Sequence, residues 1–157
     1  MLFRSQFIWA PGQIVWDDPA AIEEGIVEGR MAKALFRKIR ALQSELLIES
    51  AYFVTRDKAV EVVKQLHDRG VRIRVLTNSL ASNDVVAAHA GHAKRREHLI
   101  EAGMELYEYR PDSLISKTRS SRGENMAPIH TKTIVFNRES VYIGSLKLDP
   151  RAGSINT

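Results

Sequence analysis

One short phrase, helix then glycine then strand, occurs twice in this chain. His67-Asp68-Arg69-Gly70 leads into Val71-Arg72-Ile73-Arg74-Val75-Leu76, and Ile100-Glu101-Ala102-Gly103 leads into Met104-Glu105-Leu106-Tyr107-Glu108-Tyr109. A helix that ends on glycine and turns at once into a strand is the connection that feeds parallel strands in α/β folds. Upstream, Met31, Leu35, Ile39 and Leu42 recur at helical spacing in a stretch running from about residue 20 to 43, firm from Arg30 because Gly25 and Gly29 weaken its start. Arg30, Lys33, Arg37, Lys38 and Arg40 fill the other face of that helix.

The remaining elements follow from composition and punctuation. Glu45 to Phe53 reads as a mostly buried strand, and Asp57 as the N-cap of a helix that Gly70 ends. Val71 to Leu76 alternates apolar and basic residues as a strand does. Residues 77–83 read as a polar loop, and Asn83 or Asp84 as the cap of a long helix reaching Ala102. Residues 111–128, rich in Ser, Pro, Arg and Gly, read as a mobile surface loop, followed by strands Ile129–Asn137 and Val141–Ser145. Residues 13–16 are expected to form a short edge strand. The fold class is therefore α/β, a mixed β-sheet flanked by helices. With no linker visible, the 157 residues count as a single domain.

Several classes are excluded. The chain has no cysteine, so it holds neither a disulfide framework nor a thiolate metal site. No uninterrupted apolar run exceeds four residues, far short of a membrane span, and Arg4, Ser5 and Gln6 break up the first ten residues, which do not read as a signal peptide. The net charge of +4 permits phosphate-bearing partners without requiring them.

The chemistry concentrates in Ile129-His130-Thr131-Lys132-Thr133-Ile134-Val135-Phe136-Asn137. Residues two apart on a strand share a face, so His130 and Lys132 project together, with Ile134 and Phe136 after them. An imidazole and an ammonium do not neutralise each other, but together they suit a phosphate. Lysine holds the phosphoryl oxygens, and histidine attacks phosphorus or passes a proton. Gly144-Ser145-Leu146-Lys147-Leu148-Asp149-Pro150-Arg151 follows the second strand. Gly144 lets the backbone approach a ligand, and Ser145 and Lys147 offer further groups to phosphate.

These two segments resemble the C-terminal signature of the phospholipase D superfamily, His-x-Lys-x4-Asp followed by Gly-Ser-x-Asn-x-Asp-Pro-Arg-Ser. Ser50-Ala51-Tyr52-Phe53-Val54 and the stretch from Arg72 to Asp84 are similar to the bacterial cardiolipin synthase branch, in particular the C type, over residues 14–157. The resemblance implies one half of a phospholipase D-like fold, in which two halves each give a His-Lys motif to a shared site. It implies a phosphohistidine intermediate, no metal and no cofactor. It assigns catalysis to His130, Lys132 and Ser145, phosphate binding to Lys147, and supporting roles to Asn137 and Asp149; Asn78, from its place after a strand, is a further candidate for phosphate binding. The implied reaction is phosphatidyl transfer or phosphodiester hydrolysis on an anionic phospholipid such as phosphatidylglycerol, membrane-associated in the full-length bacterial family.

The chain departs from that pattern in four ways. It carries one His-Lys motif and so reads as a truncated second half, needing either the missing N-terminal half or a second copy as homodimer. Asn137 stands where the pattern has Asp, Lys147 where it has Asn, and Ala152 where it has Ser. Two alternatives therefore stand beside the lipid enzyme: a homodimeric nuclease of this superfamily, and an inactive half-domain that binds phosphate or a partner. Nucleic acid is the less favoured partner. Among the other features, His89, His92 and His98 lack further metal ligands, and Lys94-Arg95-Arg96 reads as a solvated helix face. Asn78, Ser79 and Asn83 serve either a ligand or turn formation.

Overall fold

A computed structural model describes residues 9–17, 29–51, 53, 55, 58–79, 95–109 and 129–144. The elements are α1 (Arg30–Arg40), β1 (Glu45–Ser50), α2 (Lys58–Asp68), β2 (Arg72–Asn78), α3 (95–101), β3 (Met104–Tyr109), β4 (Lys132–Phe136) and β5 (Ser140–Ile143). They form one five-stranded mixed sheet in the order β3-β2-β1-β4-β5. β1, β2 and β3 are parallel, while β4 runs antiparallel to β1 and β5 antiparallel to β4. The α/β expectation holds.

The two glycines of the repeated phrase terminate their helices as expected. Gly70 has φ +80° and Gly103 has φ +101°, values that side chains with a Cβ resist. At Gly70 the N–H donates to the His67 carbonyl at 2.8 Å, and the Val71 N–H donates to the Leu66 carbonyl at 3.0 Å. This paired closure satisfies the last carbonyls of α2 and turns the chain into β2 within one residue.

Register assigns the two faces of the sheet. Leu46, Ile48, Ile73, Val75, Met104, Ile134 and Phe136 share one face, and against it pack Leu35 of α1, Val63 and Leu66 of α2, and Leu99 of α3. Leu42, with no exposed surface, closes the core below α1. The second face is not covered by any described helix. Leu47, Leu76 and Val135 are half-buried there, and Tyr107, Val141 and Ile143 are exposed.

Three segments differ from the sequence reading. Residues 9–17 form no strand. Instead, the Asp17 carboxylate accepts a hydrogen bond from the Met31 N–H at 2.9 Å, tying this segment to the start of α1 and satisfying one of that helix's free donors. β2 continues through Thr77 and Asn78 rather than opening into a loop, because β1 and β3 flank it on both sides there. β4 begins at Lys132, so His130 stands just ahead of the strand. The Asp57 cap, most of the long helix before residue 95 and the loop at 111–128 lie outside the described residues. None of the described helices is long and apolar enough to cross a membrane.

Candidate active site

The carboxyl ends of β1, β2 and β3, the start of β4 and the end of β5 all lie at one rim of the sheet. Open α/β sheets present ligand groups at this rim, where strand ends leave backbone and side chains free. On the core face the rows change from apolar to polar here. Ile134, Ile48, Val75 and Leu106 stand in register, and the next row brings Lys132, Ser50, Thr77 and Glu108 together. Ser50 and Thr77 are buried and form the floor beside the half-buried Lys132.

His130 is exposed at this rim, and the residues on either side of it are fixed. The Asn78 side chain, 4% exposed, acts as a surrogate peptide. Its Oδ1 accepts from the Ile129 N–H at 2.9 Å, while its Nδ2 donates to the Ile129 carbonyl at 3.0 Å and the Ala51 carbonyl at 3.2 Å. On the other side the Ala51 N–H donates to the Thr131 carbonyl at 3.3 Å, and the Thr131 hydroxyl donates to Glu49 at 2.7 Å. His130 thus sits between two anchored residues, with an accessible ring on a held backbone. The Lys132 ammonium donates back to the His130 carbonyl at 3.1 Å, which sets it beside the His130 main chain.

The end of β5 reaches the same corner. The Gly144 N–H donates to the Lys132 carbonyl at 3.2 Å, and a Cβ at position 144 would run into the Tyr142 hydroxyl. A side chain there would have to displace the end of the Tyr142 ring. Ser145, Lys147 and Asp149 lie outside the described residues, although the described chain ends beside Lys132.

Two expected residues have other surroundings. Asn78 was read as a phosphate ligand, but both ends of its amide are engaged with main chain, which leaves it holding the backbone before His130. Asn137 lies at the far end of β4, about 20 Å along the chain from His130. It has φ +52°, which asparagine tolerates well. Its Oδ1 accepts from the N–H groups of Gln43 and Ser44 at 3.0 Å and Glu45 at 3.4 Å, and its own N–H donates to the Glu45 carbonyl at 2.8 Å. The residue pins the β4–β5 turn to the start of β1. Only its oxygen is used in these bonds, so an amide serves there as well as a carboxylate.

Sequence reasoning missed Thr131 and Glu49, whose signal was the acidic residue set among apolar ones in β1. It also missed a charge cluster at the opposite rim. Glu45, buried in β1, is held by Arg138 at 2.5 Å and by Arg74, and these hydrogen bonds lower its pKa from 4.5 to about 2. Arg72 pairs with Glu105 at 2.5 Å, and the carboxyl of Glu105 is lowered as a result. A groove lined by Leu47, Glu49, Arg74, Leu76, Tyr107 and Val135 lies on the uncovered face and includes neither His130 nor Lys132. Among the described residues no cluster of His, Asp and Glu can hold a metal ion.

The family model described as "Cardiolipin synthase, PLD-like domain" matches residues 35–157. Cardiolipin synthase C of Escherichia coli (strain K12) is 37% identical over 154 residues, covering 96% of this chain and 33% of that protein. The chain thus spans about a third of that relative's length. Two solved structures share the fold. One is a phospholipase D family member, Nuc from Salmonella typhimurium, with TM-score 0.55 at 17% identity over 80% of this chain and 70% of that one. The other is NucT from Helicobacter pylori, with TM-score 0.57 at 14% identity over 90% and 77%. With its His-Lys corner at the sheet rim and this extent of match, the chain belongs to the phospholipase D superfamily, in its cardiolipin synthase-like branch.

Proposed function

We propose that the chain contributes one His-Lys half-site to a phosphodiester-exchanging enzyme whose substrate is an anionic phospholipid. The observation that carries this reading is His130, exposed between two anchored residues with the Lys132 ammonium beside its main chain. An imidazole nucleophile needs a fixed approach line, and an anchored backbone supplies it. In the proposed reaction an imidazole nitrogen of His130 bonds to phosphorus as the bond to the departing alcohol breaks. A histidine from a second motif gives that alcohol its proton. The same group then takes a proton from the incoming alcohol or water, which attacks phosphorus and frees His130. Lys132 offsets the charge on the phosphoryl oxygens, with Ser145 and Lys147 as further groups on phosphate and Asp149 in support.

The second motif comes from a second copy or from the remainder of a longer protein. The second reading is a homodimeric phosphodiesterase acting on nucleic acid, in which two copies would each give one His-Lys motif. Turnover by the purified chain separates these readings. An aryl phosphodiester, phosphatidylglycerol vesicles and single-stranded DNA are offered in chelator, with His130→Ala beside the wild type. The lipid reading expects turnover on the vesicles that vanishes in the variant and an acid-labile phosphoryl adduct on the wild type. Turnover unchanged in His130→Ala, or turnover confined to the DNA, overturns it; none in either protein assigns the second motif to the remainder of a longer protein rather than to a second copy.

A further inference from the structure

The whole positive surplus of the chain lies on one helix. The chain carries 23 basic and 19 acidic side chains, and α1 holds five of the basic ones with no acidic residue. Without α1 the balance would be 18 against 19. Arg30, Lys33, Arg37 and Arg40 recur at spacings of three, four and three, which places them along one outward arc, all exposed. None of the four forms an ion pair among the described residues. Phe36, 58% exposed, stands on the edge of this arc, while Leu35 on the opposite side enters the core.

A second apolar group adjoins the same helix. Trp9, Ile14 and Trp16 are 93%, 85% and 62% exposed, and the first and last are the only tryptophans in the chain. Asp17, the acidic group among the described residues at this end of α1, is engaged with the Met31 N–H and so brings Trp16 to the start of the helix. The helix lies along β5. The Tyr142 hydroxyl donates to Met31 Sδ at 3.2 Å near its start, and Lys38 donates to the Ser140 hydroxyl at 3.1 Å near its end. The start of α1 therefore points toward Gly144, whose N–H bonds Lys132. Trp16, Arg30 and Lys33 therefore lie toward the rim that carries His130, while Arg37 and Arg40 extend the same exposed face toward the opposite rim.

We propose that the outward face of α1, together with residues 9–17, is the surface by which the chain lies on an anionic phospholipid bilayer. Cations attract the headgroups, and tryptophan and phenylalanine seat at the boundary between headgroup and acyl chain. A nucleic-acid backbone would use the cations but gives Phe36 and Ile14 no apolar medium to enter. The proposal rests on the phospholipid reading for its purpose, since it brings the chain to the layer that holds the substrate. Its physical basis is independent of turnover.

The test is sedimentation of the purified chain with phosphatidylcholine vesicles, with and without phosphatidylglycerol, while native tryptophan emission is recorded. Both tryptophans lie in the proposed surface, so a blue shift reports its burial directly. The variants are the triple Arg30→Gln/Lys33→Gln/Arg37→Gln, the single Phe36→Ser, and a control, Lys58→Gln/Lys64→Gln, on exposed positions of α2. All sit on solvent-facing helix positions, and thermal melts confirm that they fold. Binding to the anionic vesicles with a blue shift is expected for the wild type and the control. Each cation contributes about fivefold, so the triple variant is expected to lose on the order of 100-fold. Phe36→Ser is expected to reduce both binding and its persistence in salt. No binding by the wild type, equal binding by the triple variant, or binding without a tryptophan shift overturns the proposal. So does tighter binding to single-stranded DNA that the triple variant alone loses. Vesicle partition reads the surface without catalysis, and the water-soluble aryl diester reads the site without a bilayer, so the two failures are distinguishable.

Discussion

Asn78 binds Ile129 through both its main-chain groups, accepting from the N–H at 2.9 Å and donating to the carbonyl at 3.0 Å. A side chain at the end of β2 thereby does what a neighbouring strand would do, and does it one residue before His130. Removing it leaves the Ile129 N–H, the Ile129 carbonyl and the Ala51 carbonyl without their partner. Asn78→Ala is expected to cost about 2–3 kcal/mol in denaturant unfolding. It is also expected to raise amide exchange at Ile129 more than in the middle of β4. If Asn78 positions His130, turnover falls through kcat with KM little changed. A parallel rise in KM would return Asn78 to direct phosphate contact.

Asn137 is the residue at which the chain departs from the superfamily's aspartate, and its surroundings explain why the change is tolerable. It sits at the far end of β4 and uses one oxygen to hold the N–H groups of Gln43, Ser44 and Glu45. Asn137→Asp keeps that oxygen and is expected to change turnover by less than about twofold. Asn137→Ala loses the bonds and places alanine at a left-handed φ, so about 2 kcal/mol of stability is expected to go. A large turnover loss in Asn137→Asp at unchanged melting temperature would contradict this placement.

How legible the molecule was in its sequence varied with the range of the interaction. The glycine-terminated helices that feed β2 and β3 could be read because each signal is local: an apolar stripe, a glycine, an alternating strand. The bond from Lys132 to the His130 carbonyl joins two residues of one short segment, so their nearness was legible. The role of Asn78 was not, since its partner is 51 positions away and an asparagine after a strand is also a common turn residue. The segment 13–16 was misread for the same reason. Its composition suits a strand, but Asp17 draws it to α1 across 14 positions. The Glu45 cluster was invisible because its three members come from β1, β2 and the β4–β5 turn.

Gly103 should be less replaceable than Gly70. Both have positive φ, so alanine at either is expected to cost about 1 kcal/mol from backbone strain. At Gly70 a Cβ meets nothing, whereas at Gly103 it collides with the His67 ring. Gly103→Ala is therefore expected to melt lower than Gly70→Ala, and His67→Ala is expected to close part of that gap. Equal melting temperatures for the two glycine variants would mean that the ring moves aside freely.

Stability should carry the imprint of Glu45. Its carboxyl is held at about 2 in the folded chain against 4.5 ordinarily, chiefly by hydrogen bonds from Arg138 and then Arg74. In the unfolded chain it takes up its proton near pH 4.5; in the folded chain it does so only near pH 2. Between those values the unfolded state binds more protons, so the stabilisation is fully present above about pH 5 and fades as the pH falls. Urea midpoints measured from pH 7 to pH 2.5 are expected to drop most steeply below pH 4.5. Glu45→Gln lowers the neutral-pH midpoint, because two arginines lose their counter-charge, but it flattens the acid limb. A variant with the wild-type acid slope would show that other carboxylates dominate it, with Glu105, paired to Arg72, the next to replace.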